Sequence, residues 1–89
     1  MASLALPAVL TMAEARATLA RLEPEIAAQA DPVVDASGLV TLDSAAVSVL
    51  LACRRAAAAA GKPLRIEGAP AKLAALAKLY GVSELLFGP

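Results

Sequence analysis

The order of elements in the 89-residue sequence predicts an α/β fold. We expect one domain over residues 1–89, with a small, mostly parallel sheet and helices packed mainly on one face. Three observations lead there. Apolar runs of strand length alternate with amphipathic helical stretches in the order β-α-β-α-β-α, and the crossovers are long enough for parallel connections. Glycine, proline and Asp-Ser pairs fall at the junctions, where turns and helix caps need them. Finally, Leu64-Arg65-Ile66-Glu67 alternates, whereas a sheet covered on both faces reads as continuous apolar runs. One face of the sheet is therefore left wetter, or free for a partner.

The first strand is predicted over Leu4, Leu6, Ala8 and Leu10, which alternate with Ala5, Pro7 and Val9. Pro7 cannot donate to a ladder, so this strand should lie at an edge or carry a bulge. Thr11 and Glu14 fit a capping box, followed by a helical stripe of Ala15, Leu19, Leu22 and Ile26. Pro24 should kink that helix or divide it. Asp31-Pro32 ends it, Val33–Ala36 reads as a short buried strand, and Ser37-Gly38 turns the chain. Asp43-Ser44 then caps a second helix from about Ser44 to Ala60, with Val47, Leu50, Leu51 and Cys53 inward and Gly61 as its stop. After the Leu64–Glu67 strand, Pro70 suits the first turn of a third helix. Leu73, Leu76, Ala77 and Tyr80 form its core stripe, Gly81 its terminus, and Leu79 and Lys72 lie to one side. Val82, Leu85, Leu86 and Phe87 make an apolar tail that either packs back or binds something.

Composition narrows the function. Eight basic residues balance eight acidic ones, and there is no histidine. No segment supplies the basic face that nucleic acid requires, so a nucleic-acid partner is not expected. Alanine alone supplies 24 residues of the 60% apolar content, and the uncharged stretch from Met1 to Ala13 is shorter than a bilayer span. Direct membrane insertion and a secretory signal are therefore not expected. Cys53, the single cysteine, has no partner for an internal disulfide and fits a reducing, cytoplasmic setting.

Without histidine the chain cannot build a His-based triad or a His/Cys metal site of its own. Asp35 and Asp43 could be read as a catalytic carboxylate pair, but a strand end and a helix cap explain them better. Cys53, on the apolar side of an alanine-rich helix, reads as a packing thiol. No enzyme activity, cofactor or metal is expected. Polar groups concentrate where strand ends and helix starts share one edge of a parallel sheet. Asp35, Ser37 and Ser44 gather there as a candidate anion or phosphate site, and Ser44 at the helix start is the best single candidate.

Val33-Val34-Asp35-Ala36-Ser37, five residues, then Asp43-Ser44-Ala45-Ala46-Val47 resembles the core signature of STAS domains, the sulfate transporter and anti-sigma-factor antagonist family. In that pattern a strand ends in Asp-x-Ser, and a helix opens with Asp-Ser/Thr followed by a small residue, glycine and leucine. Gly61–Gly68 and Leu76–Val82 also look like STAS elements. The latter is especially similar to the small stand-alone, MlaB-like subunit of lipid-asymmetry ABC transporters. Nearly the whole chain is covered. Ala46 stands where the family usually has glycine, Ala8 where glycine often follows the first strand, and the opening hairpin of many members has no counterpart.

The resemblance implies a single STAS-like domain that binds a protein. Ala45 matches the phosphoacceptor position of anti-sigma-factor antagonists but has no hydroxyl. Ser44 matches the Ser/Thr that in the transporter branch lies at the contact with the ATPase. The implied function is a non-catalytic regulatory subunit of an Mla-type phospholipid ABC transporter, which maintains outer-membrane lipid asymmetry. Its partners would be the ATPase and, through it, the membrane permease, holding it in the cytoplasm peripheral to the inner membrane. Asp43 and Ser44 would form the contact, with Lys72 and Leu79 beside them. The alternatives are a partner-switching protein that binds a serine kinase, and a small-ligand or nucleotide-binding module. The bare edge strand leaves self-association open.

Overall fold

Pro7 divides the first strand in two. In the computed structural model, which describes residues 3–88, β1 (Leu4–Ala5) and β2 (Val9–Leu10) flank it. The predicted second strand is β3 (Val33–Asp35), and after the predicted Ser37-Gly38 turn a further short strand follows, β4 (Thr41–Leu42). β1 pairs with β3, and β3 with β5 (Arg65–Glu67), to give a parallel sheet in the order β1-β3-β5. β2 and β4 form a second parallel pair. β4 was not foreseen: two residues are too few to show a period.

Register explains which face is covered. Leu4, Val34 and Ile66 lie in one row across the three strands, with Leu4 and Val34 buried and Ile66 packed against the core. The neighbouring row of Ala5, Asp35 and Glu67 belongs to the opposite, more exposed face. The one-sided packing predicted from Leu64–Glu67 is thus observed.

Four helices complete the fold: α1 (Met12–Ala28), α2 (Ser44–Ala59), α3 (Ala71–Leu79) and α4 (Ser83–Phe87). α1 opens with the predicted capping box. The Glu14 carboxylate accepts from the Thr11 N–H at 2.7 Å and the Thr11 hydroxyl at 2.6 Å. Pro24 does not divide α1. Pro24 and Ala20, whose carbonyl loses its helical donor, both lie on the exposed side, where losing that bond costs least. α2 closes at Gly61 in a Schellman turn, with Lys62 N–H on the Ala57 carbonyl at 2.8 Å and Gly61 N–H on that of Ala58 at 3.0 Å.

Two expectations about the third helix need correction. Pro70 is its N-cap rather than a first-turn residue, because the helix begins at Ala71. Tyr80 leaves the core stripe and is 54% exposed. It is the C-cap, beyond which Gly81 turns the chain back, so α4 brings Leu86 into the core in its place. The apolar tail therefore packs back through Leu86, while Leu85 stays exposed.

α1 and α2 make the most extensive contact between elements, with Leu22, Ile26, Leu50 and Cys53 fully buried. Alanines 45, 46 and 57 of α2 are buried as well. A domain of this size has a total stability of roughly 4–13 kcal/mol. Leu50→Ala should remove about 2–5 kcal/mol of it, and a chemical denaturation curve should show the midpoint falling steeply.

Candidate functional site

Asp43 organises the end of the molecule where α1 and α2 begin. As N-cap of α2 it accepts the Ala45 N–H at 2.8 Å, the role its Asp-Ser pair predicts. Its second oxygen lies 3.4 Å from the N–H of Met12, the first residue of α1, so one carboxylate faces two helix starts. Glu14 is nearby, and the hydrogen bonds from the Thr11 hydroxyl and N–H hold its carboxyl below its ordinary range, against smaller opposing pushes from desolvation and, least of all, Asp43.

Ser44, the first residue of α2, is exposed. It opens a shallow groove of about 450 Å³ whose other lining residues are Val47, Ser48, Leu51, Tyr80 and Val82. Ser44, Ser48 and Leu51 follow one another at helical spacing, so α2 forms one wall. The turn from α3 into α4 forms the other. The floor is firm because the opposite side of α2 carries core residues. Val47, Ser48, Leu51, Tyr80 and Val82 had not been singled out as site residues. The 44-48-51 spacing could have found the α2 wall; Tyr80 could not be found, because the helical period counted it as core.

Asp35 and Ser37 lie apart from this groove. The Ser37 N–H donates to Asp35 Oδ1 at 2.9 Å, and together with the Ser37 hydroxyl it holds that carboxyl below its usual range. Gly68, at φ +71°, seats against this turn: an added Cβ would lie 2.9 Å from Ser37 Cβ and 3.3 Å from Asp35 Oδ1. Neither Asp35 nor Ser37 lines the Ser44 groove. An anion at the start of α2 would also meet the Asp43 carboxylate that already takes the Ala45 N–H. Lys72 and Leu79 are exposed on α3, with Leu79 immediately before Tyr80, and neither lines the groove. A wider concavity of about 700 Å³ on the open sheet face includes Asp31, Val33, Arg65 and Glu67. There Arg65 and Glu67 pair with each other at 3.4 Å while remaining well exposed.

Cys53 is buried, and desolvation pushes its thiol up to about 11, with the Glu23 charge adding to the effect. It is held as a thiol rather than a nucleophilic thiolate. Among the described residues no group of three His, Cys, Asp or Glu is placed to hold a metal ion, and no helix is long and apolar enough to cross a membrane.

Two measurements check this account. Gly68→Ala combines a positive φ with a close approach to Ser37, so it should cost about 1–3 kcal/mol in denaturant unfolding. Glu14 and Asp35 both have depressed folded-state values, so their contribution is present at neutral pH and fades as acid protonates them below about pH 4. Thermal melts should show Tm falling through that range, with a smaller fall in Glu14→Gln.

The domain's ancestry agrees with this geometry. A family model described as "Mlab, STAS domain" matches residues 2–87. No curated protein matches the chain. The parallel sheet, the Asp35-Ala36-Ser37 turn and the Asp43-Ser44 cap all lie within the match, and the chain belongs to the MlaB-like STAS-domain family.

Proposed function

We propose that this protein is a non-catalytic STAS subunit that docks on the cytoplasmic ATPase of an Mla-type phospholipid ABC transporter and regulates it. It sits peripheral to the inner membrane through that partner and the associated permease, and contributes to outer-membrane lipid asymmetry. The observation that carries this reading is the groove beginning at Ser44, in a chain whose family model is MlaB-like. Ser44 stands at the position that the transporter branch uses at its ATPase contact. The groove joins two hydroxyls to the apolar surface of Leu51, Tyr80 and Val82, with Leu79 exposed beside it. A small polar rim around an apolar centre suits a protein partner better than a free anion.

Ala45 supports the same choice. At the position of the antagonist branch's phosphoacceptor it offers a methyl group, and that methyl group is buried. A switch that works by phosphorylating this position has no hydroxyl to use. The Ser44 hydroxyl, exposed one residue earlier, is the nearest substitute along the chain.

Ser44→Arg places a long cation at the mouth of the groove, at an exposed helix position that tolerates it. The variant should keep the wild-type melting profile and lose capture of the cognate transporter ATPase by at least about tenfold in affinity, which corresponds to about 1.4 kcal/mol. Undiminished capture by folded Ser44→Arg would remove Ser44 from the contact. Phosphate gained from a serine kinase, read by intact mass, would favour the partner-switching alternative.

A further inference from the structure

The chain has two aromatic rings, and the fold treats them differently. Phe87 packs against the core from α4. Tyr80 lies outside the core and is 54% exposed. The point from which its ring projects is fixed. As C-cap of α3, Tyr80 donates its N–H to the Leu76 carbonyl at 3.0 Å. Beyond it Gly81, at φ +73°, lets the Val82 N–H reach the Ala77 carbonyl at 2.9 Å. Tyr80 lines the Ser44 groove on the wall that faces α2, and Leu51 lines it from α2.

We propose that the Tyr80 ring is the anchor of the ATPase contact. Truncating it costs the complex far more than truncating an equally exposed apolar side chain outside the groove. This inference rests on the ATPase reading and names the side chain on which that contact turns. Most residues at a protein interface contribute little, and a few side chains, aromatic ones prominent among them, carry most of the affinity. Tyr80 is the one aromatic ring left outside the core to do so. A tyrosine has only two side-chain torsions to immobilise, and the backbone beneath this one is already held, so docking costs little ordering. Leu51 and Val82 line the groove with it, so a partner seated there covers the ring together with aliphatic surface. The ring, rather than the phenol hydroxyl, carries the effect. Leu85 separates position from mere apolar area: it is 52% exposed, close to the value at Tyr80, but does not line the groove.

The test measures the affinity of the purified cognate ATPase for wild type, Tyr80→Ala, Tyr80→Phe, Leu85→Ala and Ser44→Arg, with thermal melts to confirm each fold. Tyr80→Ala should weaken binding by at least about tenfold, while Tyr80→Phe and Leu85→Ala stay within about threefold of wild type. Because Tyr80 is the only tyrosine, wild type labelled on its tyrosine ring reports on this position without any substitution. Its ring signals should shift as ATPase is added. Wild-type affinity in folded Tyr80→Ala overturns the proposal. So does an equal loss in Leu85→Ala, a tenfold loss in Tyr80→Phe, or a ring signal unmoved at saturating ATPase. If Ser44→Arg loses capture in that same series, the ATPase reading stands without the Tyr80 anchor. A wild type that binds no ATPase overturns both.

Discussion

The arrangement of this protein depends on the Asp43 carboxylate at the start of α2. It takes the Ala45 N–H and lies near the N–H of Met12, so the two largest helices begin at one negatively charged point. Each helix start carries partial positive charge from its unpaired N–H groups, and two such ends side by side would repel without an acceptor between them. With Asp43 there, α1 and α2 lie together along their length and bury Leu22, Ile26, Leu50 and Cys53. The same interaction sets where Ser44 stands, at the first helical position on an exposed rim.

From that packing follows a sheet with only one covered face. Leu4, Val34 and Ile66 form the side under the helices, and Ala5, Asp35 and Glu67 the side away from them. A three-stranded sheet also has two edges, and each is met by an arginine from a helix, Arg21 at Ala5 and Arg54 at Leu64. Lys62 ties the ends of α2 and α1 together by donating to the Ala27 carbonyl, where a cation complements the helix terminus. The long basic side chains thus act on backbone carbonyls, and the only ion pair among the described residues is the exposed one between Arg65 and Glu67.

Much of this was legible in the sequence because local chemistry and global fold agree. Thr11 with Glu14, Asp43 with Ser44, and Gly61 and Gly81 mark helix ends through the caps they form, and the structure uses each in that way. Pro7 was legible as an edge residue because a missing donor is tolerated only where nothing needs it. Tyr80 was not legible: the helical period assigns it to the core, but the period ends at Leu79 and Leu86 fills the space from a later turn. Of the two outcomes expected at Pro24, a kink or a division, the helix does not divide, and periodicity does not reveal that Ala20 and Pro24 lie on its exposed side. At the site, Ser44 was legible from its motif, whereas the Tyr80 and Val82 wall comes from distant sequence brought in by the α3–α4 turn.

The functional account joins α2, a groove that carries the Ser44 and Ser48 hydroxyls, and membership of the MlaB-like STAS-domain family. It separates that groove from the Asp35–Ser37 turn, where the Asp35 carboxylate takes the Ser37 N–H and Gly68 comes close. The most direct test is amide NMR of the isotope-labelled chain titrated with the purified cognate ATPase. The account predicts signal changes concentrated at residues 44–51 and 79–82, with residues 31–35 and 63–67 on the open sheet face unaffected. Changes confined to the open sheet face, or none at saturating ATPase, would contradict it.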